Sequence, residues 1–142
     1  MKHCLVIVLV FLCLSCSGKS DGGVRQDRLH AANQFKTHAA AIDNDVGKKI
    51  RNAPDAVITY LNGMDATDRY ANHPLSAAER DMFMQYYGRL PSAMKQTIAQ
   101  KVVAMYFIDN FAGGGMSDMV YDEQGNLYIS LYFNAGILGQ SL

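Results

Sequence analysis

Beyond position 16 this chain has no cysteine, its three being Cys4, Cys13 and Cys16. That excludes a disulfide framework in whatever domain follows. An excess of charge is also lacking: thirteen Lys and Arg stand against thirteen Asp and Glu, scattered rather than blocked. A basic stripe for nucleic acid and a polybasic membrane patch are therefore both missing, and no nucleic-acid partner is expected. No apolar run reaches the roughly 20 residues needed to cross a ~30 Å hydrocarbon core. Internal repeats are absent, and the one low-complexity stretch is the short polar run 17–23.

Motifs that carry chemistry are equally scarce. His-Glu-x-x-His and G-x-S-x-G do not occur. Asp43 and Asp45 open like a calcium loop, but positions five, six and twelve of that pattern hold Gly47, Lys48 and Pro54, so a turn is the better reading. Gly113-Gly114-Gly115 has no lysine in P-loop spacing and leads into a strand, not a helix N-terminus. It reads as a structural turn. Met82 and Met84 flank Phe83; thioethers can hold Cu(I), but methionine is far more often core filler. His30 and His38, eight apart, fall on neighbouring faces of a helix without the i, i+4 spacing of a zinc site, and His30 with Asp27, which could pair, reads better as two solvated side chains. His73, before Pro74, reads as a loop residue. No catalytic residue, metal ligand or cofactor is expected.

What is present begins at the N-terminus. Lys2 and His3 make a short positive start, and residues 4–14 follow without a charge or a helix breaker. This is the length of a signal-peptide core rather than of a membrane span. It ends in Leu14-Ser15-Cys16-Ser17-Gly18, which resembles the lipobox of bacterial lipoproteins, with Cys13 an unusual residue for its place in the box. In that family the cysteine thiol receives diacylglycerol, the signal is cut before it, and the new amino group is acylated. The resemblance implies a signal peptide over 1–15 and a lipidated Cys16 holding the protein to a membrane of the cell envelope. A thiolate is the nucleophile that chemistry needs, and several acyl chains at ~0.8 kcal/mol per buried methylene make a lasting anchor. Cleavage would also split the C-x-x-C spacing of Cys13 and Cys16, so that pair suggests no redox or zinc role. Ser17 stands where many family members retained at the inner membrane have aspartate, which implies the outer membrane.

Removal of residues 1–15 takes Lys2 with it and leaves twelve basic residues against thirteen acidic ones. Residues 16–24 are the lipidated cysteine and a flexible tether spanning roughly 15 Å. Residues 25–142 are one small domain, enough for a single core. Over 25–42, Leu29, Ala32, Phe35, Ala39 and Ile42 recur at helical spacing. A second helix over 54–64 buries Val57, Ile58, Leu61 and Met64. Ser76 and Glu79 form a capping box that starts a third, with Ala78, Met82, Phe83, Tyr86, Tyr87 and Leu90 on its apolar face and Gly88 as a stop. A fourth runs from 91 or 92 to 108 through Met94, Ile98, Val102, Met105 and Ile108. Its end, 102–108, is apolar all round and fits a buried strand as well; the unbroken pattern back to Ser92 favours helix.

Two strands follow, 116–122 and 126–133, joined by Glu123-Gln124-Gly125. The expected fold is thus α+β: about four N-terminal helices followed by a C-terminal β-hairpin. The last strand is apolar on both faces, with Leu127, Ile129, Leu131 and Phe133 on one and Tyr128, Ser130 and Tyr132 on the other. Such a strand belongs inside a covered sheet, and a lone ribbon is weak. The domain is therefore expected to be incomplete or to meet a partner, or a second copy, through Tyr128, Ser130 and Tyr132.

Residues 54–142 also resemble the N-terminal part of exported zinc-peptidase-like proteins. Tyr106-Phe107-Ile108-Asp109-Asn110-Phe111, then Gly113-Gly114-Gly115-Met116-Ser117-Asp118, then the hairpin ending at Phe133-Asn134 carry this resemblance. It implies a metal-binding helix further downstream than this chain reaches, so no catalytic residue carries over. Two functions are expected from these readings: a non-catalytic envelope lipoprotein that binds a partner or serves structurally, or a truncated or decayed member of that peptidase-like family.

Overall fold

The computed structural model describes residues 43–121 and 126–138. The signal peptide expected over 1–15, the tether expected over 16–24 and the helix expected over 25–42 lie outside the described residues. The acidic turn after them is a helix start. The Asp45 carboxylate accepts from the Gly47 N–H and caps a one-turn helix, α1 (Val46–Lys49). Asp43 supports the same turn by pairing with Lys48 at 2.8 Å. Helix α2 (Asp55–Met64) follows Pro54, whose missing N–H costs nothing at that end, and buries Val57 and Leu61 one turn apart. A two-residue strand, β1 (Ala71–Asn72), comes next. Helix α3 (Ala77–Gly88) starts at the capping box of Ser76 and Glu79, as the sequence indicates. It is followed by α4 (Ser92–Lys101).

The expected fold of helices followed by a hairpin is not what forms. Helix α4 stops at Lys101, and 102–109 is a strand, β2 (Val102–Asp109). The chain passes from helix to strand without a loop, Val102 already being extended at φ −85°, ψ 124°. The physical reason lies in Val102-Val103-Ala104-Met105-Tyr106-Phe107-Ile108, all of them buried. β-Branched and aromatic side chains suit a pleated strand covered on both faces better than a helix. Strands β3 (Gly115–Tyr121) and β4 (Leu127–Asn134) form the expected antiparallel pair, and a short 3₁₀ turn (Ala135–Ile137) follows. Helices and strands are therefore interleaved, and the four described strands make one mixed sheet in the order β1-β2-β4-β3.

Strand β2 is the axis of the molecule. It runs parallel to β4 on one side and antiparallel to β1 on the other, where Ile50 also bridges to Met105. A bulge between Val102 and Ala104 shifts the alternation, so that Val102 shares a face with Met105 and Phe107. That face carries Leu131, Ile129 and Phe133 from β4 and is covered by α1, α3, α4 and the 3₁₀ turn. Phe83 of α3 meets Phe107 and Phe133 edge-on at centroid distances of 5.4 and 5.7 Å. On the opposite face Ala104, Tyr106, Ile108 and Tyr132 pack under Val57 and Leu61 of α2.

This arrangement corrects the expectation of an uncovered strand. The two faces of β4 are those read from the sequence, but both of its edges are taken, by β2 and by β3. The missing strand is β2. At the sheet's outer edge, on β3, the Asp118 carboxylate accepts from the Met119 N–H at 2.8 Å, which occupies a donor that would otherwise recruit another strand.

Candidate functional site

The most organised cluster of ionisable side chains among the described residues lies where β1, β2 and α3 meet. Antiparallel pairing sets Ala71 opposite Asp109 and Asn72 opposite Ile108. The chain continues this pairing for one more residue, with the His73 N–H donating to the Phe107 carbonyl at 2.9 Å. That fixes the His73 ring between two carboxylates. Its Nδ1 lies 2.9 Å from Asp109 Oδ1, at the end of β2, and its Nε2 lies 3.0 Å from Glu79 Oε1, in the first turn of α3. Glu79 is in turn held through its other oxygen by the Ser76 N–H at 2.8 Å and Ser76 Oγ at 2.6 Å.

Ionised carboxylates only accept hydrogen bonds, so both ring nitrogens must donate, and the geometry calls for an imidazolium. Partial burial pulls the proton affinity of His73 down. The hydrogen bond that His73 donates to Glu79 and the charge of Asp109 outweigh it, and its pKa stands above the ordinary 6.5. The Ser76 hydroxyl and amide, followed by the bond from His73, lower Glu79 from 4.5 to about 2. Ser76 Oγ gives its hydrogen to Glu79, and the histidine is spent on two acids. The cluster thus holds a proton and ties three elements together, but it does not present Ser76 to a base.

Two further arrangements sit deeper. Lys49, at 1% exposure, is the largest fully buried side chain of the described residues. Its Nζ donates to the carbonyls of Ala99 at 2.8 Å and Val102 at 2.6 Å, capping the end of α4 where the helix turns directly into β2. Burial lowers its pKa. On the α2 face, Tyr106 and Tyr132 lie side by side with ring centroids 5.7 Å apart, and Tyr60 donates to Asp118 at 3.2 Å. Burial, followed by the nearby Asp118 charge, raises the Tyr132 hydroxyl far above its usual range.

Of the residues singled out from sequence as site candidates, His73, read as a loop residue, is the one that falls in the cluster with Asp109 and Glu79 among the described residues. Cys16, His30 and His38 are outside the described residues. Ser130 and Tyr132, expected on a partner surface, are buried at 5% and 2% exposure, while Tyr128 is half-buried with Lys101 Nζ 5.9 Å above its ring. Gly113 and Gly114 lie in the turn between β2 and β3, and Gly115 opens β3. Gly113 takes a φ of +77°, and a Cβ on Gly115 would come within 2.6 Å of the Tyr132 carbonyl. Met84 is packing filler, and Met82 is exposed.

Sequence reasoning missed the His73 bridge. Its signal was the strand reading of 102–109, which would have placed Asp109 beside residues 71–73. Among the described residues, no three His, Cys, Asp or Glu side chains converge to hold a metal ion, and no helix is long and apolar enough to cross a membrane. Comparison with known proteins finds no family model, no curated protein and no solved structure that matches this chain.

Proposed function

We propose that this chain is a lipoprotein of the bacterial cell envelope, carried by acyl chains on Cys16, whose domain is a non-catalytic binding or structural module. The observation that carries the reading is Leu14-Ser15-Cys16 at the end of the uncharged run that begins at Cys4, with no cysteine beyond Cys16. Ser17 after the cysteine favours the outer membrane. The near-neutral charge supports a lipid rather than an electrostatic attachment, since no basic patch is present to supplement it. The module part of the reading draws on how the described ionisable groups are used. His73 is committed to two carboxylates and Lys49 to two carbonyls, which is how a scaffold employs such groups.

The alternative, a truncated or decayed piece of a zinc-peptidase-like protein, no longer draws support from an uncovered strand, because β2 fills that place. It rests on the resemblance alone, and a His-Glu-x-x-His-like helix encoded downstream of Leu142 would revive it.

Phase partition tests the anchor. The mature wild-type chain should enter the detergent phase, and Cys16→Ser should leave it aqueous or unprocessed. A processed Cys16→Ser chain that still partitions into detergent overturns the reading.

A further inference from the structure

Helices α3 and α4 cover one face of the sheet without a single fully buried residue of their own. Polar ties supplement their half-buried contacts. Arg80 of α3 donates to the carbonyls of Gly47 at 2.8 Å and Ile50 at 3.4 Å, Lys49 caps the end of α4, and His73 links Glu79 to Asp109. Of these three ties, the His73 ring is the one whose ordinary pKa, 6.5, lies near neutrality.

We propose that His73 is a proton-operated clasp: its protonated ring joins Asp109 at the end of β2 to Glu79 in the first turn of α3, and loss of that proton loosens this end of α3 from the sheet. A neutral imidazole has one N–H, so one ring nitrogen then turns a lone pair toward a carboxylate oxygen that lies 2.9 or 3.0 Å away. Both contacts cannot survive. Glu79 is fixed by two bonds from Ser76, whereas the Asp109 side chain is 44% exposed and free to turn to water. The bond that breaks is therefore the one to Asp109, which is the side-chain tie across to the sheet. The charged groups facing the ring are Asp109 from β2 and Glu79 from α3, and both act to keep the proton on. The His73 N–H to Phe107 carbonyl bond remains, so the response is a local loosening of residues 73–80 rather than unfolding.

The test is amide hydrogen exchange on the whole chain in detergent, followed from about pH 5 to about pH 9 and corrected for the intrinsic rate, alongside an NMR titration of the His73 ring. Protection over residues 73–80 should fall about tenfold as the ring loses its proton, the scale of one charge-assisted hydrogen bond at a partly exposed site. Residues of α2 should not change. In Asp109→Asn the ring should titrate at lower pH, and the loss of protection should move with it. A His73→Asn chain, having no proton to lose, should exchange at the high-pH rate throughout. Constant protection while the ring titrates, or a pH response that survives in His73→Asn, overturns the clasp.

Discussion

His73 is separated from Asp109 by 36 positions and from Glu79 by six. The second relation is half legible, since the Ser76–Glu79 capping box is local and its spacing is visible in the sequence. The first is not, because it depends on a strand pairing that the helical reading of 102–108 rules out. Together the two relations give the molecule a definite pH response. Glu79 has its pKa lowered from 4.5 to about 2, so its contribution is fully present above 4.5 and is lost as pH falls toward 2. His73 has its pKa raised above 6.5, so its contribution is fully present below 6.5 and is lost as pH rises through the folded value. Both operate in full between 4.5 and 6.5. The difference in Tm between wild type and His73→Asn should accordingly be largest in that window and shrink on either side. A difference that stays flat to alkaline pH would show that the ring's charge contributes nothing.

At the scale of elements, the starts of α2, α3 and α4 were legible, whereas the start of α1, which the sequence presents as a turn, and the end of α4 were not. Caps and turns are local: Pro54 and Ser76 each sit where a helix begins, and the β3–β4 pair is where alternation placed it. Residues 102–109 are different. An apolar run has no periodicity to read, and its state is decided by what covers it, here α2 on one face and α3 with α4 on the other. Lys49 also takes part, since its buried ammonium satisfies the carbonyls that the abrupt end of α4 would leave bare.

The same error turned β4 into an exposed strand and Ser130 into a surface residue. Ser130 is in fact 5% exposed, between β2 and β3. Ser130→Lys should therefore destabilise the fold by about 3 kcal/mol or more, through an unpaired charge or a displaced strand. Chemical denaturation of the two forms measures this. A variant as stable as wild type would mean that β4 lies at the surface after all.

At the scale of the whole molecule, the domain and its proposed attachment are written in different kinds of signal. The domain is a mixed sheet between helical layers, a non-local arrangement that composition and periodicity could not specify. The attachment is read from a handful of adjacent residues, where order along the chain is the whole of the chemistry. The proposed acylation acts at position 16, outside the described fold of residues 43–121 and 126–138. Membrane attachment should therefore survive mutations that unfold the domain and fail with Cys16 alone. The most direct measurement is the mass of the intact chain and of its N-terminal peptide, purified from membranes. The account predicts a chain that begins at Cys16, with diacylglycerol on its sulfur and an acyl chain on its amino group. A chain that keeps residues 1–15, or that begins elsewhere with a free thiol or no cysteine, would contradict it.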